Sequence, residues 1–252
     1  MIVSKNNCNI FVLFVYIICI KFINKVIFVR YNIMHNTIKN YKDIISLIKS
    51  KLEDQKIDKL PKIIAVSKTF GIENILPLIE YGHLDYGENK VQEALDKWSE
   101  IKLKNSDIKL HLIGRLQTNK VKFAIKIFDY IHSLDSKKLA KKIAEEEKKN
   151  NKKVKLFIQV NIGNEDQKSG VNINELGDLY NYCKELNLDV IGLMCIPPVN
   201  EGPENFFKET YLLNQKLKLI ELSMGMSSDY LKAVENNSTY LRIGSSIFGN
   251  RS

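Results

Sequence analysis

The 252-residue sequence contains only four cysteines and four histidines, and neither set has the spacing of a metal site or a disulfide framework. No C-x-x-C pair occurs, which excludes zinc-finger and iron–sulfur patterns, and we predict no metal ligand. Isolated, reduced cysteines indicate a cytoplasmic protein. The residues concerned are Cys8, Cys19, Cys183, Cys195, His35, His83, His111 and His132.

The sequence also lacks the glycine-rich phosphate motifs GxGxxG and GxxxxGK[ST], which excludes a Rossmann fingerprint and a P-loop. It has no internal repeat and no low-complexity linker. With 44% apolar and 27% charged residues, the composition is that of a soluble globular protein with one sizeable core.

No apolar run reaches the roughly 20 residues that a membrane-spanning helix needs. The run Ile10–Ile20 has eleven residues, basic residues follow it, and no small-x-small cleavage site is present. We expect translation to begin at Met34, so that residues 1–33 are an apolar and basic extension that is untranslated or disordered. The alternative is a weak membrane anchor or signal. Residues 34–252 are predicted to form one domain.

The formal charge of +9 is a weak argument for a nucleic-acid partner, because four of the excess positive charges lie in residues 1–33. The sequence has no basic patch interleaved with aromatic residues, so we expect no nucleic-acid binding. The remaining excess of positive charge suits an anionic small-molecule ligand.

From Met34 onward, short apolar runs alternate with amphipathic segments, which predicts parallel strands joined by helices. An opening helix at 38–52 and eight βα units favour a (β/α)₈ barrel; the alternative is an open, doubly wound sheet. The predicted strands are Ile63–Val66, Leu84–Tyr86, Leu110–Ile113, Tyr130–Ser133, Leu156–Val160, Val190–Met194, Leu219–Met224 and Tyr240–Ile243.

Ligands of such barrels bind at the carboxyl ends of the strands, so the residues that follow each strand are the candidates. The loops Met224–Ser228 and Arg242–Ser246 each combine glycine with serine hydroxyls, which is typical of an anion site but equally of a simple turn and helix cap. Lys68 is a candidate nucleophile or a solvated lysine. His111 is a candidate base or a packed core residue.

Seven segments then identify a family. They resemble, in order, the pyridoxal phosphate homeostasis proteins, which are alanine-racemase-like barrels without the second domain of the racemases. Two positions depart from the family pattern, Lys90 in place of an aromatic residue and Leu110 in place of tryptophan. The matching segments are Ile63–Thr69, Gly87–Glu93, His111–Lys122, Gln159–Val171, Gly192–Pro198, Leu222–Tyr230 and Arg242–Gly249.

By this resemblance the cofactor is pyridoxal 5′-phosphate (PLP), bound as a Schiff base on Lys68. The resemblance places Ser227 with Gly244 and Ser245 at the phosphate, and Arg242 at the pyridine nitrogen. Asn89 and His111 are implied to line the pocket. A cation opposite the ring nitrogen disfavours its protonation, so carbanion stabilisation would be weak.

The resemblance implies a PLP-binding protein of intracellular PLP homeostasis that carries, buffers and supplies the cofactor without turnover of its own. The alternative is a PLP-dependent amino-acid racemase, which needs a second base. In the racemases a separate β-domain supplies that base, and we expect this domain to be absent because the chain ends at Ser252. The expected partners are PLP and apo PLP-dependent enzymes, with the protein a monomer or weak dimer.

Overall fold

The strands close into a barrel in the computed structural model, which describes residues 36–55, 57, 59–165 and 169–249. Each strand pairs in parallel with its neighbours in the sequence, and β1 pairs with β8. This closure confirms the predicted (β/α)₈ barrel and excludes the open sheet. The strands are β1 Lys62–Val66, β2 Asp85–Glu88, β3 Lys109–Leu112, β4 Tyr130–Leu134, β5 Lys155–Val160, β6 Val190–Cys195, β7 Glu221–Met226 and β8 Tyr240–Ile243.

The helices surround the barrel, and two of them, α4 and α6, are preceded by a 3₁₀ turn. The opening helix α1 covers residues 36–55, and its Asn40 side chain donates a hydrogen bond to the carbonyl of Ile247 at the chain's other end. The other helices are α2 Ile72–Glu80, α3 Val91–Lys104, α4 Val121–Ile127, α5 Lys137–Asn150, α6 Leu176–Glu185, α7 Glu204–Lys216, α8 Tyr230–Glu235 and α9 Ser245–Phe248.

Two apolar cores result from the alternation of side chains along each strand. One lies inside the barrel and includes Ile64, Phe157 and Tyr240. The other lies between the strands and the helices and includes Ile63 and Ala65. Because strand side chains alternate with a period of two, Ile64 and Val66 point the same way, into the barrel. Lys68 follows in the turn two residues beyond the end of β1.

The predicted extension of residues 1–33 lies outside the residues that the structure describes. Within the described ranges, no helix combines the length and the apolar character needed to cross a bilayer.

Candidate functional site

A cavity of about 350 Å³ opens at the carboxyl ends of the strands, between β1, β7 and β8. This volume falls at the lower end of the range for small-ligand sites. The cavity brings together six of the seven predicted site residues, with His111 the exception. Its lining is Val66, Lys68, Asn89, Ile113, Ile196, Met226, Ser227, Ser228, Arg242, Gly244 and Ser245.

Arg242 projects from β8 and is almost fully buried, with 4% of its surface exposed. Its Nη1 donates to the Ser223 carbonyl at 2.6 Å and to Ser223 Oγ at 2.7 Å. Its Nη2 donates to the Cys195 carbonyl at 2.9 Å. Strands β6 and β7 therefore fix the guanidinium plane, and burial lowers the pKa of this arginine from its usual value.

Ser227 joins the two predicted anion loops. Its Oγ accepts hydrogen bonds from the backbone N–H groups of Gly244, at 3.2 Å, and Ser246, at 3.3 Å. Since the oxygen accepts both bonds, the hydroxyl proton is directed towards other acceptors. Gly244 packs against β1: a Cβ at this position would lie 3.2 Å from the carbonyl oxygen of Val66. The loops thus approach each other closely enough to surround one anionic group.

His111 lies below the cavity, in the barrel interior. It is fully buried and stacks on the Tyr130 ring, with centroids 4.2 Å apart. Ile113, two residues further along the same face of the chain, is the residue that reaches the cavity. His111 therefore does not line this cavity but lies in the core, which is one of the two interpretations that the residue pattern left open.

A second cavity of about 350 Å³ adjoins the first on the side of β3 and β5. The two cavities share Asn89, Ile113 and Ile196. Arg115 and Asn161 contribute polar groups to the second one. The space beside Lys68 and Arg242 therefore adjoins a second space of similar volume across Asn89, Ile113 and Ile196.

The family model for the alanine racemase N-terminal domain matches residues 48–252. The pyridoxal phosphate homeostasis protein of Aquifex aeolicus is 43% identical over 200 residues, which are 75% of this chain and 87% of that protein. That of Haemophilus influenzae is 34% identical over 236 residues, 87% of this chain and 96% of that protein. The chain belongs to the pyridoxal phosphate homeostasis protein family.

Solved structures agree with this membership. PipY of Synechococcus elongatus PCC7942, a structure with PLP bound, has a TM-score of 0.71 and 31% identity, covering 80% of this chain and 100% of that chain. Alanine racemase of Clostridium difficile 630 has a TM-score of 0.66 at 17% identity, covering 86% of this chain and 57% of that chain. The second comparison supports the fold alone.

The sequence interpretation missed the residues that hold the predicted ones in place. Ser223, on β7, holds Arg242 in place. Ser223 belongs to one of the segments that resemble the homeostasis proteins, but the sequence interpretation gave it no role. Glu93 and Lys97 contact the backbone beside Lys68 from α3. Their spacing of four residues at the start of a helix was the signal that could have found them.

Proposed function

We propose that this protein binds PLP as a Schiff base on Lys68 and carries, buffers and supplies the cofactor without a turnover reaction of its own. The observation that carries the proposal is the single cavity that joins Lys68, Arg242 and the two serine–glycine loops. The named homeostasis proteins and the PLP-bound PipY structure support it.

Each group in the cavity suits one part of the cofactor. The unprotonated amine of Lys68 adds to the aldehyde carbon, and loss of one water leaves a carbon–nitrogen double bond, with no change of oxidation state. Ser227 offers its hydroxyl proton, and Ser245 its hydroxyl and backbone N–H, to the phosphate. Gly244 lines the same space, and its N–H holds Ser227 Oγ in place. Asn89 lines the same space.

Arg242 decides what chemistry the bound cofactor supplies. A guanidinium has five N–H donors and no acceptor, so opposite a pyridine nitrogen it donates and disfavours protonation of that nitrogen. An unprotonated ring is a weak electron sink, which suits reversible attachment of the aldehyde better than carbanion chemistry. We therefore assign the protein a binding role.

Reversible attachment also suits delivery. Because water alone releases the aldehyde from Lys68, the protein can supply PLP to apo PLP-dependent enzymes, which we propose as its partners. We propose a cytoplasmic location and a monomer or weak dimer, as expected from the sequence.

A racemase is the second candidate, favoured by the match of residues 48–252 to the alanine racemase N-terminal domain. Two-base racemisation needs acid–base groups on both faces of the substrate. Among the described residues that line the two cavities, Lys68, Arg115 and Arg242 are the ionisable side chains. Arginine stays protonated, so this lining offers one base.

The test uses the full chain incubated with PLP, reduced with borohydride and digested for mass spectrometry. We expect a visible absorbance band, and a pyridoxyl group on Lys68 after reduction. Lys68→Ala should abolish both, whereas Lys216→Ala, at an exposed lysine of α7, should change neither. A colourless protein, or label spread over surface lysines, would contradict the proposal. Amino-acid racemisation by the loaded protein would favour the alternative.

A further inference from the structure

The backbone around Lys68 adopts an unfavourable conformation. Thr69, which follows Lys68 directly, has φ of 67°, in the left-handed region. A β-branched residue is rarely found there, because its Cβ substituents crowd the backbone. Such a conformation persists only where neighbouring groups hold it, and it tends to occur at functional sites.

Two side chains of α3 hold this backbone on both sides of Lys68. Glu93 Oε1 accepts a hydrogen bond from the Thr69 N–H at 2.7 Å. Lys97 Nζ donates to the Ser67 carbonyl at 2.9 Å. Lys97 Nζ also lies 3.1 Å from Glu93 Oε1, one helical turn away, so the two side chains form one clamp.

The clamp is anchored in the core by Glu88. This carboxylate is fully buried, and its Oε1 receives hydrogen bonds from Lys97 Nζ at 2.9 Å, from Ser67 Oγ at 2.8 Å and from Trp98 Nε1 at 2.9 Å. Trp98, a residue of α3, is itself fully buried. One carboxylate oxygen therefore connects two residues of α3, Lys97 and Trp98, to Ser67 at the end of β1.

The charge of Glu93 is secured by the same contacts. Burial acts to raise the pKa of Glu93, but the Thr69 hydrogen bond and the Lys97 ammonium outweigh it and leave the pKa lowered. Glu93 is therefore an ionised acceptor, and a charge-assisted hydrogen bond holds Thr69.

We propose that Lys97, together with Glu93, is a positioning residue that directs the Lys68 amine at the aldehyde carbon of PLP. This inference rests on the proposed function. In the step concerned, the Lys68 nitrogen forms a bond to the carbon, the aldehyde oxygen leaves as water, and a carbon–nitrogen double bond remains. Without the clamp Thr69 relaxes, the Lys68 side chain turns from the cavity, and the equilibrium moves towards free amine and free aldehyde.

This role differs from a purely structural one, and α3 offers a matched control. Lys102, further along α3, also forms a partly buried ion pair: its Nζ lies 2.6 Å from Asp129 Oδ2 and donates to the Ile127 carbonyl at 3.0 Å. The exposed side-chain fractions are similar, 11% for Lys97 and 19% for Lys102. The partners of Lys102 lie between α4 and β4, and they include neither Ser67 nor Thr69.

The test compares Lys97→Met with Lys102→Met in two binding experiments. The first measures the Schiff-base absorbance and borohydride trapping on Lys68 as PLP is titrated. The second measures the affinity for pyridoxine 5′-phosphate, which has the ring and the phosphate but no aldehyde. We expect Lys97→Met to lower covalent attachment by about tenfold, since small misplacements of a reacting group are costly. Its affinity for pyridoxine 5′-phosphate should match that of the wild type, and Lys102→Met should change neither quantity.

Equal effects of Lys97→Met and Lys102→Met, or equal losses for both ligands, would overturn the inference. A second pair, Glu93→Gln and Glu93→Ala, covers the case in which Lys97→Met does not fold. Glu93→Gln keeps an acceptor for the Thr69 N–H and should retain most attachment, whereas Glu93→Ala should lose it. Failure of the proposed function is distinct, because the wild type itself would then carry no label on Lys68.

Discussion

His111 Nδ1 and His132 Nε2 lie 3.0 Å apart at the centre of the barrel, and both side chains are fully buried. Burial lowers the pKa of His111, and it lowers that of His132 further, helped by the neighbouring His111 and Arg242. Both rings are therefore neutral near pH 7. In this contact one nitrogen carries a hydrogen and donates a hydrogen bond, and the other nitrogen accepts that bond.

The outer contacts of the pair decide which nitrogen donates. His111 Nε2 lies 3.0 Å from an Asp85 carboxylate oxygen, which accepts, so His111 carries its proton on Nε2. His111 Nδ1 then accepts from His132 Nε2. His132 Nδ1 in turn accepts from Ser223 Oγ at 2.9 Å, and Ser223 Oγ accepts from Arg242. Each group in this chain of hydrogen bonds donates to the next, from Arg242 at the cavity through Ser223 and the two histidines to Asp85.

The first prediction concerns these tautomers. Nitrogen-15 NMR of the folded protein should show both His111 and His132 as neutral rings protonated on Nε2 at pH 7. Ser223→Ala should remove the donor to His132 Nδ1 and cost about 1–3 kcal/mol of unfolding free energy, because a buried acceptor is left unpaired. Ser99→Ala, on the exposed face of α3, is the control and should cost little. A ring protonated on Nδ1 at pH 7 would contradict the direction of donation.

The second prediction concerns pH and stability. Burial lowers the pKa values of His83, His111 and His132 below the usual 6.5. On acidification the unfolded chain takes up protons at these positions before the folded chain does, so stability falls as the pH drops below about 6.5. Stability should therefore be lower at pH 5.5 than at pH 7.5, and His132, whose pKa is lowered most, should contribute the largest part of the loss.

Urea unfolding between pH 7.5 and pH 5.5 measures this dependence. His83→Gln keeps a donor for the Asp85 carbonyl that His83 Nε2 contacts at 2.8 Å but removes one titrating group. Its stability should therefore depend on pH less steeply than that of the wild type. An unfolding free energy that does not change over this range would show that the buried histidines take up protons in the folded state.

The order and number of strands could be predicted because each strand is a short apolar run, whereas strand ends were less predictable. Strand β2 was predicted at Leu84–Tyr86 but spans Asp85–Glu88. The sequence Gly87-Glu88 does not look like a strand, since glycine and glutamate have low strand propensity. Tertiary contacts outweigh this low strand propensity. Gly87 fits closely against Ile64, because a Cβ at Gly87 would lie 2.9 Å from that side chain, and three donors hold the Glu88 carboxylate.

The candidate site was predictable where a residue follows a strand and the family resemblance gives it a role, as for Lys68 and Arg242. The contacts that support Arg242 were not predictable, because they join residues far apart in the sequence. His132 and Ser223 are 91 positions apart, and no local pattern pairs them. The depth of His111 below the cavity depends on barrel geometry, which the sequence alone does not determine.

The third prediction concerns the phosphate loops. Ser227→Ala removes the oxygen that accepts from the Gly244 and Ser246 N–H groups and also the hydroxyl proposed to face the phosphate. The affinity for PLP should fall by about tenfold, the equivalent of one or two hydrogen bonds. The affinity for pyridoxal, which has no phosphate, should change little. Ser136→Ala, at the cap of α5, is the control, and equal losses for PLP and pyridoxal would place Ser227 away from the phosphate.

The fourth prediction compares two glycines that differ in their surroundings. A Cβ at Gly192, in β6, would lie 1.9 Å from the Glu221 carbonyl oxygen and 3.0 Å from the Phe157 ring, whereas a Cβ at Gly177, in α6, would meet nothing within 4 Å. Gly192→Ala should therefore force β6 and β7 apart and cost about 1–3 kcal/mol. Gly177→Ala should stabilise the protein by about 0.5–1 kcal/mol, because alanine is the better helix former. Thermal unfolding of both variants measures the difference, and a neutral Gly192→Ala would mean that the β6–β7 pairing is looser than described.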